Sequence, residues 1–198
     1  MRRSDFDCKD LGIIAEFLNK IEFGTLVIAD SIPYAIPLSF CYEDSKIYLH
    51  GAKAGRKHAL LKENPKVSFS CAKPYAYIPS SFLNHTMIPT QFFFSVFLEG
   101  QFFVVEDLEE KRHILTRLVQ KYEPDNTQMD MQRGQFVGKE RGTFVAKILI
   151  SHLSAKAKFG QNLKKEDFEQ ILQDLENRNG KMDTETIKMM RSFSLKYQ

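Results

Sequence analysis

Between positions 50 and 58 the chain reads His50-Gly51-Ala52-Lys53-Ala54-Gly55-Arg56-Lys57-His58, three cations, two histidines and two glycines in nine residues. Without a Cβ, the two glycines let the backbone turn sharply and approach a ligand closely. Arg56 offers a planar fork for two phosphate oxygens, while Lys53 and Lys57 offer point charges. A helix beginning near Arg56 would add free N–H groups that suit the same anion. These residue types also make a solvated basic turn, and on their own they leave both readings open. His50 has an imidazole that titrates near neutral pH. It suits a phosphate ligand or a proton donor, and equally a strand-end histidine with ordinary hydrogen bonds.

Other familiar chemistries lack their residues. There is no glycine-rich loop ending in Gly-Lys-Ser/Thr, no Gly-x-Gly-x-x-Gly after a strand, no nucleophile elbow and no helical zinc-binding histidine pair. His85, His113 and His152 are scattered without local partners and read as surface or packing residues. Cys8, Cys41 and Cys71 show no metal-like spacing and leave an odd thiol, which suits a reducing cytoplasm. A net charge of +3 gives no concentrated basic face for nucleic acid. The basic stretch 156–165 has one aromatic and is followed at once by acidic residues, so it reads as a loop near a ligand or a solvated turn. No run approaches the roughly 20 apolar residues of a membrane span, and Met1-Arg2-Arg3-Ser4-Asp5 leads into an amphipathic stretch instead of an apolar signal core.

The elements that must position the basic cluster follow from periodicity. Leu11, Ile14, Ala15, Leu18 and Ile21 share a helical face, with Asp10 to cap it and Gly24 to end it. Strand-like runs come next at 25–30, at 34–42 with Pro37 marking an edge or bulge, and at 46–50. A short helix from Arg56 stops before Pro65. Residues 66–72 form a fourth strand, and 73–90, with Pro74, Pro79 and Pro89, a loop. Residues 91–105 form a long fifth strand with Gly100 as a bend or bulge. Asp107 and Glu110 make a capping box for a helix whose apolar face includes Leu115 and Leu118. After a polar, Met-containing stretch, 143–153 is the sixth strand; the rest is a basic loop and two helical segments divided by Gly180. The 17 Phe among 198 residues, with 43% hydrophobic residues, supply a large core and favour strands. Strand-rich order without regular strand–helix alternation predicts an α+β chain with an antiparallel barrel or sandwich over 1–153 and a helical extension over 154–198.

Three stretches taken together carry a resemblance. They are Pro33-Tyr34-Ala35-Ile36-Pro37-Leu38-Ser39-Phe40-Cys41-Tyr42, then Ile47-Tyr48-Leu49-His50-Gly51-Ala52-Lys53-Ala54-Gly55-Arg56-Lys57, then Asn64-Pro65-Lys66-Val67-Ser68-Phe69. With Ser95-Val96-Phe97-Leu98-Glu99-Gly100 and the helix that follows, this ordered set resembles the flavin-binding split-barrel family related to pyridoxamine 5′-phosphate oxidase, in its nitroimidazole-resistance (Nim-like) branch. The resemblance runs from the start of the chain to about Leu163. It implies a six-stranded antiparallel split β-barrel, a homodimer, and a flavin nucleotide in each of two clefts between subunits. Carried over by position, Ile36, Pro37, Leu38 and Ser39 would line the isoalloxazine ring. His50, Lys53, Arg56 and Lys57 would surround the ribityl chain and phosphate, and Ser95 and Val96 would lie near the cofactor from the dimer region. Ser39 stands where relatives often carry Asn, and Phe92-Phe93-Phe94 is more apolar than usual. One identifiable phosphate loop favours FMN, with FAD as the alternative. The expected activity is that of a flavin-dependent oxidoreductase acting on a small molecule, with the flavin carrying the electrons and His50 the candidate polar group beside it. The alternative is a protein that holds flavin or haem without turnover.

Overall fold

In the computed structural model, residues 3–83, 85, 88–126 and 137–194 are described. Helix α1 (Leu11–Lys20) starts where its sequence says it should, because the Asp10 side chain accepts from the Ile13 amide at 3.0 Å. It buries Ile14, Phe17 and Leu18. It ends at Lys20, so Gly24 is not its stop. Gly24 lies inside β2 (Phe23–Ile28) beneath the Phe69 ring, where a Cβ would come within 2.1 Å of Cζ.

The strands that follow are β3 (Tyr34–Ser39), β4 (Cys41–Glu43), β5 (Lys46–Gly51), β6 (Lys66–Ile78), β7 (Thr90–Val104) and β8 (Phe144–Lys158). The sheet order is β3-β2-β6-β7-β8-β5-β4, and the two-residue β1 (Asp7–Cys8) pairs with β8. The paired ladders, such as Leu26↔Ile36 and His50↔Val145, are antiparallel. This is the α+β antiparallel class expected. β3 ends the order, which leaves Pro37 on an edge where a missing N–H costs no ladder bond.

Among the described residues eight strands stand where six were expected. The run 34–42 is broken at Phe40, and β6 and β8 continue through 73–78 and 154–158, both expected to be loops. In β8 the reason is a period of two: Ala155 and Ala157 are buried while Lys156 and Lys158 point the other way. In β6 the Ala76 amide donates to the Thr186 hydroxyl at 2.9 Å, so its backbone is satisfied despite Pro74. Of the polar stretch expected before the last strand, 127–136 fall outside the described residues.

The chain forms two compact units, and β6, β7 and β8 contribute to both. The first comprises Asp10–Cys71 and Val96–Leu153. Its core includes Cys41, Tyr48, Val105, Ile114, Leu118 and Val145, with α3 (Leu108–Tyr122) as a wall and the one-turn α4 (Lys139–Gly142) against α3. Asp107 caps α3 through the Glu110 amide at 2.8 Å, but the Glu110 carboxylate turns away to Lys147 at 2.6 Å instead of closing a capping box. Lys121, near the end of α3, points inward: Nζ donates to the carbonyls of Leu18, Ile21 and Phe40 at 3.1, 2.6 and 2.9 Å. Gly100 is a close-approach residue. A Cβ there would lie 2.3 Å from the Leu149 carbonyl oxygen and 2.7 Å from Ile148 Cγ2. Backbone cannot yield as a flexible side chain can, so Gly100→Ala is expected to cost about 2 kcal/mol. Urea denaturation measures this, and an unchanged midpoint would refute the close-packing account.

The second unit comprises Met1–Lys9, Ala72–Ser95 and Ser154–Gln198. Its aromatic cluster spends several of the phenylalanines: Phe159 lies against Tyr75, Phe92 and Phe193, with centroids 4.9, 6.1 and 5.5 Å away. The tail helices α5 (Lys165–Arg178) and α6 (Asp183–Ser194) are tied by Asp183, which takes Arg178 in a two-pronged pair and the Gly180 amide at 2.8 Å. All three cysteines are buried.

Candidate functional site

β5 delivers His50 and Gly51 to the site, paired with Val145 and Phe144 of β8. Beyond them Gly55 takes φ +85°, a conformation that favours glycine, and opens α2 (Gly55–Leu61). This helix has only seven residues, so its dipole is small and the positive charge of the region rests on side chains. His58, on the same helix, packs edge-on against Phe144 with centroids 5.3 Å apart, and so serves the core.

The three cations are held differently. The Arg56 guanidinium donates to Asp30 Oδ2 at 2.8 Å and stacks over the Tyr34 ring at 4.4 Å. Asp30 also accepts from the Ser31 amide at 2.7 Å, and Arg56 above all holds its carboxyl below the ordinary range. Lys57 folds back over the loop, its Nζ 2.6 Å from where a Cβ on Gly51 would stand. Lys53 donates to the Arg141 carbonyl at 2.6 Å. Among the described residues neither Lys53 nor Lys57 has a carboxylate partner, so the loop carries uncompensated positive charge.

His50 is exposed at the end of β5. Desolvation by the surrounding protein, then the charge of Lys57, lower its pKa below the usual histidine value. It is therefore neutral at pH 7 and able to accept or donate one hydrogen bond.

Arg56 also links the loop to β3. Tyr34, on which it stacks, is the first residue of the strand that carries Ile36, Pro37, Leu38 and Ser39. Along that strand Pro37 is exposed, Ile36 and Ser39 are half-buried and Leu38 is buried. The Ser39 side chain hydrogen-bonds the Tyr122 hydroxyl, which in turn donates to the Glu22 carbonyl at 2.6 Å. Ser95 and Val96 come from β7. Ser95 is half-buried in the second unit, and Val96, 1% exposed in the first, lies against the Cys71 thiol.

The structure thus joins His50, Gly51 and Lys57 into one group and ties Arg56 to the start of β3. Sequence reasoning missed Asp30 as a partner of Arg56, 26 positions away, because nothing local couples a strand-end aspartate to a distant arginine. It also left His113 unpartnered, whereas its ring meets Glu43 at 2.6 Å. No group of three or more His, Cys, Asp or Glu among the described residues could hold a metal, and no described helix is long and apolar enough to cross a membrane.

Residues 12–157 match the model of the family described as pyridoxamine 5′-phosphate oxidase. A curated relative, the protease synthase and sporulation protein PAI 2 of Bacillus subtilis, is 27% identical over 173 residues, covering 83% of each chain. Solved structures share the fold. The FAD and haem binding protein of Mycobacterium smegmatis aligns with a TM-score of 0.67 at 20% identity, over 82% of this chain and 78% of its own. A flavocytochrome from Azotobacter vinelandii aligns at 0.65 and 22%, over 83% and 75%. A proposed 5-nitroimidazole antibiotic resistance protein from Bacteroides thetaiotaomicron aligns at 0.63 and 22%, over 76% and 85%. These likenesses establish the split-barrel fold expected from the sequence.

Proposed function

We propose that this chain, which belongs to the pyridoxamine 5′-phosphate oxidase family, is a flavoprotein that binds FMN through the Gly51–Lys57 loop. The observation that carries the reading is the stacking of Arg56 on Tyr34, 4.4 Å from guanidinium carbon to ring centroid. It puts the strongest phosphate-binding side chain of the loop beside the strand whose Ile36–Ser39 segment suits a flat apolar ring. The residues present fit the cofactor: two lysines without carboxylate partners among the described residues and a half-exposed guanidinium for the phosphate, and an exposed edge strand for the ring.

A bound flavin supplies two-electron transfer to a small-molecule substrate. The chain's own residues have simpler tasks. Arg56, Lys53 and Lys57 hold the phosphate, and Pro37 presents ring-facing surface without a competing N–H. His50, neutral at pH 7, holds one proton on its imidazole, available to a substrate at that position. The chain acts as a homodimer in this reading, because Phe23, Ile32 and Pro37 leave apolar surface exposed around β2 and β3.

Titration of the apo-protein with FMN and with riboflavin tests the proposal, with fluorescence quenching as the signal. FMN is expected to bind tenfold or more tightly than riboflavin, since riboflavin has the ring without the phosphate. Equal affinities would overturn a phosphate-binding loop, and a Soret band in place of flavin absorbance on the purified protein would overturn the flavin assignment.

A further inference from the structure

The second unit holds a cavity of about 510 Å³, within the size range of small-molecule sites. Ile88, Phe92, Leu163 and Ile171 give it apolar walls, and Arg3 and Lys158 bring charge to it. None of its lining residues belongs to the Gly51–Lys57 loop.

The charge is concentrated and unbalanced. Arg3, Lys156 and Lys158 stand around one buried ring, that of Phe6, at 5.2, 5.8 and 5.9 Å from its centroid. Of the nearby carboxylates among the described residues, one partners Arg3 and none partners Lys156 or Lys158. Asp5 is 3.7 Å from Arg3, and Asp7, opposite Lys156 in the β1–β8 register, pairs with Lys9 at 3.8 Å. Among the described residues Lys156 and Lys158 have no carboxylate partner; Lys158 donates only to the Thr90 hydroxyl. Burial above all, and after it the charges of Lys156 and Arg3, lower the Lys158 pKa. An anion placed there would relieve that repulsion while its apolar part entered the cavity.

We propose that this cavity binds a small amphiphilic anion, a carboxylate on an apolar body, with its head group at Lys158 and Arg3 and its body against Phe92 and Ile171. Aliphatic and aromatic carboxylates share this chemistry. The alternation of Ala155 and Ala157 with Lys156 and Lys158 turns Lys158 to the same face of β8 as Lys156, a placement hidden while the stretch reads as a basic loop.

The experiment uses the full-length protein and two probes. Bound 8-anilinonaphthalene-1-sulfonate reports occupancy by fluorescence, and decanoate and benzoate, with decanol as the uncharged analogue, compete for it. Decanoate is expected to displace the probe, while decanol does so weakly. Lys158→Met should weaken decanoate about tenfold and leave decanol within twofold, and Lys158→Arg should retain most of the decanoate affinity. Lys9→Met, outside the cavity, should change nothing. If benzoate competes as well as decanoate, the site takes short aromatic acids; if only decanoate competes, it takes aliphatic chains. Failure of both acids to displace the probe, or equal losses for decanoate and decanol in Lys158→Met, would overturn the proposal. So would a matching loss of FMN affinity in Lys158→Met, which would make the cavity part of the flavin site.

Discussion

Arg56→Ala is expected to weaken FMN binding by roughly ten- to a hundredfold and to leave riboflavin nearly unaffected. A charge-assisted hydrogen bond contributes on the order of 1.5–3 kcal/mol, and each 1.4 kcal/mol is about tenfold in affinity. The structure moves the expectation toward the lower end. In the free protein Arg56 already pairs with Asp30, so a phosphate must share or replace that partner, and the guanidinium is half exposed. Asp30→Asn, which removes the competing charge, is accordingly expected to tighten FMN binding. Arg56→Lys should recover only part of the loss, because an ammonium cannot match two oxygens in one plane. Lys66→Ala, at the start of β6 and away from the loop, is the control. Fluorescence titration of both ligands reads the result. Equal losses for FMN and riboflavin would mean that Arg56 serves the fold, by clamping Asp30 and Tyr34, and binds no phosphate.

Lys121→Met should lower the stability of the protein by about 3 kcal/mol, because three carbonyls lose a charged donor in a largely buried place. For a chain of this size that corresponds to a fall of about 6–12 °C in thermal midpoint. The methionine keeps the length of the stem and its contact with the Phe40 ring, over which the ammonium now lies at 3.9 Å. Of the acceptors, Leu18 lies in the last turn of α1 and Ile21 is its C-cap, so the loss should be felt as fraying of that helix.

The pH dependence of stability gives a second readout of the same residue. Burial brings the Lys121 pKa down from 10.5 to about 8. Between those values the unfolded chain binds more protons at this site than the folded one, so stability rises with pH. The buried thiols of Cys41 and Cys71, pushed up from 9.0 to about 12, act in the opposite sense, and their contribution is lost as the pH climbs above 9. The wild-type midpoint is expected to rise from pH 8 toward 9 and to fall beyond it. In Lys121→Met the rise should vanish while the fall remains. A rise that persisted in the variant would mean that another group titrates there.

What could be read from residues alone was whatever depends on near neighbours. The Asp10 and Asp107 caps each satisfy an amide three positions on, and the apolar spacing of α1 and α3 is complete within one helix. The two glycines and three cations of the basic loop lie within nine positions, and Pro37 on an edge strand follows from its missing N–H. The ordered motifs supplied the family. The tertiary structure decided everything that joins distant positions. Nothing near Gly24 announces a phenylalanine ring above it, and the capping-box partner Glu110 is drawn away by Lys147. Lys121 looks like one more solvated helix-end lysine until the fold brings carbonyls 81 to 103 positions away around its ammonium. Pro74 and the lysines of 154–158 argued for loops because composition weighs each residue by type. The fold continued both strands because backbone groups found partners and alternate side chains found a core. Hydrogen bonds and burial act through space, and chain separation carries no record of them until the strands are paired.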